Sequence, residues 1–201
     1  MKRSLKETLS LVNCILISVL AVLSLAVLAT DIIVYQVSDL VGVISEVTSV
    51  LFLLVVASFF LKGRTNNTFN IFAVGLLLLN LFVMPLIRGM VSSDISSWFA
   101  IIPMFGIGAV FFILLILESR KQTKGLWTAM FVLAIIMVIG GVFLGFVLGY
   151  LNLFLGAIAS MGEGYAFLVL VLLFVYMILE VIIVPVVLLL YTISLKRERG
   201  Y

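Results

Sequence analysis

Histidine is absent from the 201-residue chain, and cysteine occurs once, at Cys14. Without histidine, the commonest metal ligand and general base is missing. A lone thiol cannot close an internal disulfide. There is no HExxH pair, no phosphate-cradling GxxxxGK[ST] loop and no GxSxG elbow. These absences exclude the usual zinc, haem and thiol-redox sites and leave no recognisable catalytic residue, metal ligand or cofactor motif. Charge is also scarce: 10% of residues are Asp, Glu, Lys or Arg and 65% are hydrophobic. A soluble domain has about 25% and roughly 45–50% respectively. A globule of this size in water cannot hide so much apolar surface, because part of it always faces outward. A bilayer can cover that surface, so the fold class expected is an all-α integral membrane protein forming one domain.

A helix needs roughly 20 apolar residues to cross the hydrocarbon core. Six stretches qualify, at about residues 9–29, 40–61, 69–87, 98–117, 126–150 and 165–192. They are apolar on all sides, without the alternation a membrane barrel requires. The first boundary is soft, since the connection from Thr30 to Asp39 is itself rather apolar. Residues 151–160 are apolar but too short to span; they fit an extension of the fifth helix, an interfacial piece or a re-entrant one.

Lys and Arg accumulate on the cytoplasmic side of membrane proteins. Lys2, Arg3 and Lys6 precede the first span, and Lys62 and Arg64 join the second to the third. Arg120, Lys121 and Lys124 join the fourth to the fifth, and Lys196, Arg197 and Arg199 follow the sixth. A six-span arrangement with both termini inside leaves Arg88 as the one basic residue of the 12 on the other face. Asp31, Asp39, Asp94 and Glu163 fall on that outer face. Trp98 and Trp127 fall at span ends, where interfacial aromatics belong. The net charge of +3 thus reflects sidedness, and no nucleic-acid partner is expected. The location expected is a prokaryotic plasma membrane.

Two local patterns mislead. The N-terminal segment resembles a signal peptide ending at Val27-Leu28-Ala29, but its apolar run exceeds the usual 7–15 residues. Asn66-Asn67-Thr68 matches a glycosylation sequon, yet this topology puts it in the cytoplasm.

Glu180 is the most conspicuous candidate site residue, flanked by Met177, Ile178, Leu179, Val181 and Ile182. A carboxyl at that depth costs about 2.5–3.5 kcal/mol and ordinarily faces a bundle interior or cavity. It fits a substrate or ion contact, or equally a hydrogen bond that fixes helix packing. Pro185, five residues on, lacks an N–H and crowds the carbonyl of Val181, so the sixth helix should kink there. Asn80 precedes Pro85 by the same five residues in the third span. Each pair lies in the third helix of a three-helix half, the pattern of a 3+3 inverted pseudo-repeat with a site between the halves. Glu46, beside Ser45, Thr48 and Ser49, fits the outer entrance of such a site or a structural pair with Arg88. Asn13, Cys14 and Asn152 read as packing or interhelical hydrogen-bonding groups.

Gly141, Gly145 and Gly149 recur at every fourth residue of the fifth span, giving a smooth stripe for close helix contact. The favoured contact lies within the chain; a membrane-protein partner or a second copy is the alternative. In size and helix count the chain resembles the small substrate-capture subunits of vitamin transporters, a likeness of architecture, which does not give function. The function expected is a small transporter or transporter-associated subunit with a polar site around Glu180, Asn80 and Glu46. The alternative is a non-catalytic scaffold or accessory subunit; an enzyme is disfavoured.

Overall fold

In a setting without water, backbone N–H and C=O groups must be satisfied within the chain, and helices do this locally. The computed structural model describes the backbone of residues 5–35, 40–92, 95–159 and 164–199, and the side chains of 5–30, 32, 43–44, 47–80, 106–143, 147, 171–172, 175–176 and 178–196. Among the described residues there is no strand, and all but the turns at 64–66 and 122–123 are helical: α1 (Leu5–Tyr35), α2 (Leu40–Gly63), α3 (Asn67–Ser92), α4 (Ile95–Lys121), α5 (Lys124–Ala159) and α6 (Gly164–Arg199). Three described stretches are long and apolar enough to cross a membrane: Leu5–Thr30, Lys124–Phe143 and Ile178–Lys196. Val47–Gly63 and Asn67–Asn80 are apolar but shorter.

The helices overrun the apolar runs that define them, because a hydrogen-bond ladder continues into flanks that hydropathy alone excludes. α1 continues to Tyr35, through part of the soft first connection. α5 is 36 residues long and runs unbroken through Ala159, so the ambiguous segment extends helix five.

The tight turns follow from local chemistry. Asn66 caps α3: its Oδ1 accepts the Thr68 amide at 3.0 Å, satisfying one of the free N–H groups of the first turn. α4 ends with Gln122 at φ 49, its N–H donating to the Glu118 carbonyl at 2.9 Å. This is the left-handed C-terminal cap usually taken by glycine.

Each helix packs on its neighbours in sequence, and α1 also packs on α6, closing a ring. α3 reaches α6 as well. Along its described stretch α6 is well enclosed: Ile183, Val184, Pro185, Val187, Leu188 and Tyr191 are all buried. The polar contacts between helices bring the basic segments together. Ser10 of α1 reaches the Phe60 carbonyl of α2 and Asn70 of α3, and Trp127 of α5 reaches Thr192 of α6. Lys6, Lys62, Arg64, Arg120, Lys121, Lys124 and Lys196 therefore gather at one end of the bundle.

Candidate functional site

Glu180 sits half-buried near the centre of α6. Tyr176, Val184 and Val187 are buried at helical spacing around it, so the carboxyl lies along the inward stripe of its helix. Asn80 is buried on α3, on the stripe formed by Ala73 and Leu77, and α3 touches α6. Two hydroxyls join this level. Ser24 follows Ile17, Leu20 and Ala21 on the buried stripe of α1, and Ser49 precedes Leu53, Val56 and Phe60 on that of α2. Counted along the helices, Ser24 lies eighteen residues from Lys6, Ser49 thirteen from Lys62, Asn80 thirteen from Asn67 and Glu180 sixteen from Lys196. At about 1.5 Å per residue these are depths of about 20 to 27 Å from the basic end. Four helices thus bring polar side chains inward within about one and a half helical turns of depth.

The proline break in α6 has a definite neighbour. Pro185 cannot donate to the carbonyl of Val181. Gly141 of α5 faces that carbonyl so closely that a methyl group added to it would overlap the Val181 oxygen and lie 3.5 Å from Pro185 Cγ. The Cα–H of a glycine is the group that can face a carbonyl at this range. The freed oxygen is therefore covered by the backbone of α5, and the polar character of the site rests on Glu180, Asn80, Ser24 and Ser49. At Gly141 the glycine stripe makes an intrachain contact. Gly145 and Gly149 lie in α5, Glu46 in α2 and Pro85 in α3, but their immediate surroundings, and a Glu46–Arg88 pair, lie outside the described residues. The side chains of Asp31 in α1, Trp98 in α4 and Asn152 in α5 lie outside the described residues, as do Asp39, Asp94 and Glu163 altogether.

A second polar layer ties the basic end together. Asn70 is the hub: its Nδ2 donates to the Gly63 carbonyl at 3.1 Å and its Oδ1 lies 3.0 Å from Ser10 Oγ. Gly63 must be glycine here, since a Cβ would overlap the Asn70 amide. Asn13 Nδ2 donates to the Val187 carbonyl at 3.4 Å, which makes it an interhelical group, and Cys14 packs on the core. Trp127 is turned into the bundle. Its Nε1 donates to the Thr192 carbonyl at 2.7 Å, and the Lys196 ammonium lies 5.1 Å from its ring centre.

Sequence reasoning missed Glu118, which is 0% exposed near the end of α4. It follows Phe111 and Leu115, both buried, on the inward stripe of α4, while Arg120 and Lys121 are exposed, a placement that no pattern in the sequence marks. Among the described residues no three His, Cys, Asp or Glu side chains converge as a metal site would require. No family model, no curated protein and no solved structure matches this chain.

Proposed function

We propose that this chain is a small six-span membrane transporter or transporter-associated subunit, with both termini in the cytoplasm and its site inside the bundle around Glu180. The observation that carries the reading is that Glu180, Asn80, Ser24 and Ser49 all lie on inward stripes within about 8 Å of depth. Polar groups in an apolar interior are costly, and ionisable ones in a membrane helix ordinarily serve a substrate or ion path. Glu180 would contact a cation or a hydrogen-bonding group, with Asn80 opposite it and Glu46 towards the outer entrance. The gathering of basic residues at one end supports the inside-positive orientation. The contact between α3 and α6, which carry the two polar–proline pairs, supports a 3+3 pseudo-repeat.

The test is flux into vesicles reconstituted with the full chain, under imposed proton and sodium gradients, followed by a trapped pH dye and by radioactive sodium. Flux that disappears in Glu180→Gln supports the site. Equal flux in the variant and the parent removes Glu180 from the reading.

A second reading, an accessory subunit of a larger complex, draws on Gly140. Nothing lies over Gly140 within 4 Å, and exposed Ile136, Ile139 and Phe143 surround it. This notch suits a partner helix. A membrane protein recovered in fixed stoichiometry in mild detergent, and lost in Gly140→Leu, favours this reading if the isolated chain moves no ion.

A further inference from the structure

The turn between α2 and α3 combines two features that elsewhere in the described chain occur apart. One is unopposed positive charge. Lys62 is exposed and Arg64 half-buried, and residues 47–93 contain no Asp or Glu. The acids with described side chains at this end are Glu7 of α1, half-buried, and the buried Glu118 of α4. The other is an outward-facing aromatic slab. The ring of Phe59 lies 5.8 Å from that of Phe69 and 6.4 Å from that of Phe72, and Phe72 is 58% exposed. The Lys62 ammonium stands 5.9 Å from the Phe69 ring centre, at the edge of cation–π range, so the charge sits directly above the apolar slab. The other lysine–aromatic pair is built differently, because Trp127 is buried and its N–H is already given to Thr192.

We propose that this turn is a binding site for an anionic phospholipid. Lys62 and Arg64 hold the headgroup phosphate, and Phe69 and Phe72 receive the upper part of an acyl chain. Cations over an exposed apolar surface at a membrane boundary match the two ends of such a lipid. The exposed hydroxyl of Thr68, in the first turn of α3, can donate to a phosphate oxygen, whereas that of Thr65 is already given to the Lys62 carbonyl at 3.0 Å. The site is independent of any transport by the bundle.

Native mass spectrometry of the full chain in mild detergent tests this, with phosphatidylglycerol and phosphatidylcholine of identical acyl chains as probes. The parent should retain phosphatidylglycerol in preference to phosphatidylcholine. With Lys62→Gln and Arg64→Gln together, phosphatidylglycerol should bind about 30-fold more weakly, the loss expected for two interfacial cations. Phosphatidylcholine binding should be unchanged. Phe72→Ala should weaken both lipids alike, and Lys121→Gln with Lys124→Gln should weaken neither. Equal losses at the two basic turns would mean diffuse charge attraction and overturn the proposal. So would competition by inorganic phosphate as effective as the lipid, or an acidic protein co-purifying on the turn in place of lipid. If the double variant loses its helical circular dichroism, a salt titration of the parent decides. Phosphatidylglycerol retention must fall with ionic strength while phosphatidylcholine retention holds, and salt-independent retention refutes the site.

Discussion

Gly141 of α5 lies against the carbonyl oxygen of Val181 in α6, where a proline four residues later has removed the helical donor. The two features are complementary: the break leaves an oxygen without its N–H, and the absent side chain lets a second backbone cover it. Gly141→Ala places a methyl in occupied space and should lower stability by about 1–3 kcal/mol, the usual cost of overpacking a tight core. Gly140→Ala has open space above it and should gain the few tenths to about 1 kcal/mol that alanine ordinarily brings to a helix. Thermal unfolding in one detergent compares the two. Equal effects would mean that α5 and α6 do not meet at this glycine.

Coupling between Gly141 and Pro185 is a sharper expectation. Pro185→Ala restores an N–H to the Val181 carbonyl, so the contact at Gly141 changes with it. The double variant should depart from additivity by about 0.5–3 kcal/mol, as neighbouring residues do. A double-mutant cycle on unfolding midpoints measures this, and strict additivity would separate the proline from the glycine.

Much of this was legible in the sequence, and the rest was hidden for a physical reason. Hydropathy located the helices, and the spacing of Gly141 with Gly145 and Gly149 called for close approach. The stop points were less legible. α5 runs on to Ala159 and α1 to Tyr35, because backbone hydrogen bonding continues past the apolar runs. Beyond Glu180 and the glycine stripe, which side chains point inward was not legible. A helix that is apolar on every side offers no polar face to orient it, so Ser24, Ser49 and the buried Glu118 carried no distinguishing signal. Asn66 was conspicuous as part of a sequon, whereas its amide caps α3.

At the basic end, Gly63 and Asn70 should behave as one unit. Gly63→Ala puts a Cβ where the Asn70 amide lies and should cost about 1–3 kcal/mol. Asn70→Ala removes the donor to the Gly63 carbonyl and one of the two acceptors of Ser10, leaving that buried carbonyl unsatisfied at about 1–3 kcal/mol. In the Asn70→Ala background the added methyl has room, so the cost of Gly63→Ala should largely vanish. Unfolding midpoints of the four proteins check this; an unchanged cost would place the clash elsewhere.

Gln122 holds a positive φ of 49, a conformation costing L-residues about 1–2 kcal/mol. Glycine adopts it freely but loses more backbone entropy on folding. The net expectation for Gln122→Gly is a gain of about 0.5–1 kcal/mol, seen as a raised unfolding midpoint. A lowered midpoint would mean that the glutamine side chain contributes more than its backbone costs.

Asn80→Leu separates a packing role from a functional one. Leucine has the same number and branching of side-chain heavy atoms as asparagine, is bulkier and has no polar atoms, and α3 is already apolar around this position. Interhelical hydrogen bonds in membranes average only about 0.6 kcal/mol, so stability should change by less than about 1 kcal/mol if the amide merely packs. The same substitution removes a polar group from the level of Glu180, and if that level forms an ion or substrate path, flux in reconstituted vesicles should fall well beyond any loss of folded protein. Unfolding and flux are measured on one preparation. Stability preserved with flux lost supports a polar path through Glu180 and Asn80, whereas stability and flux both preserved would reduce Asn80 to a spacer and leave the carboxyl without its counterpart across the bundle.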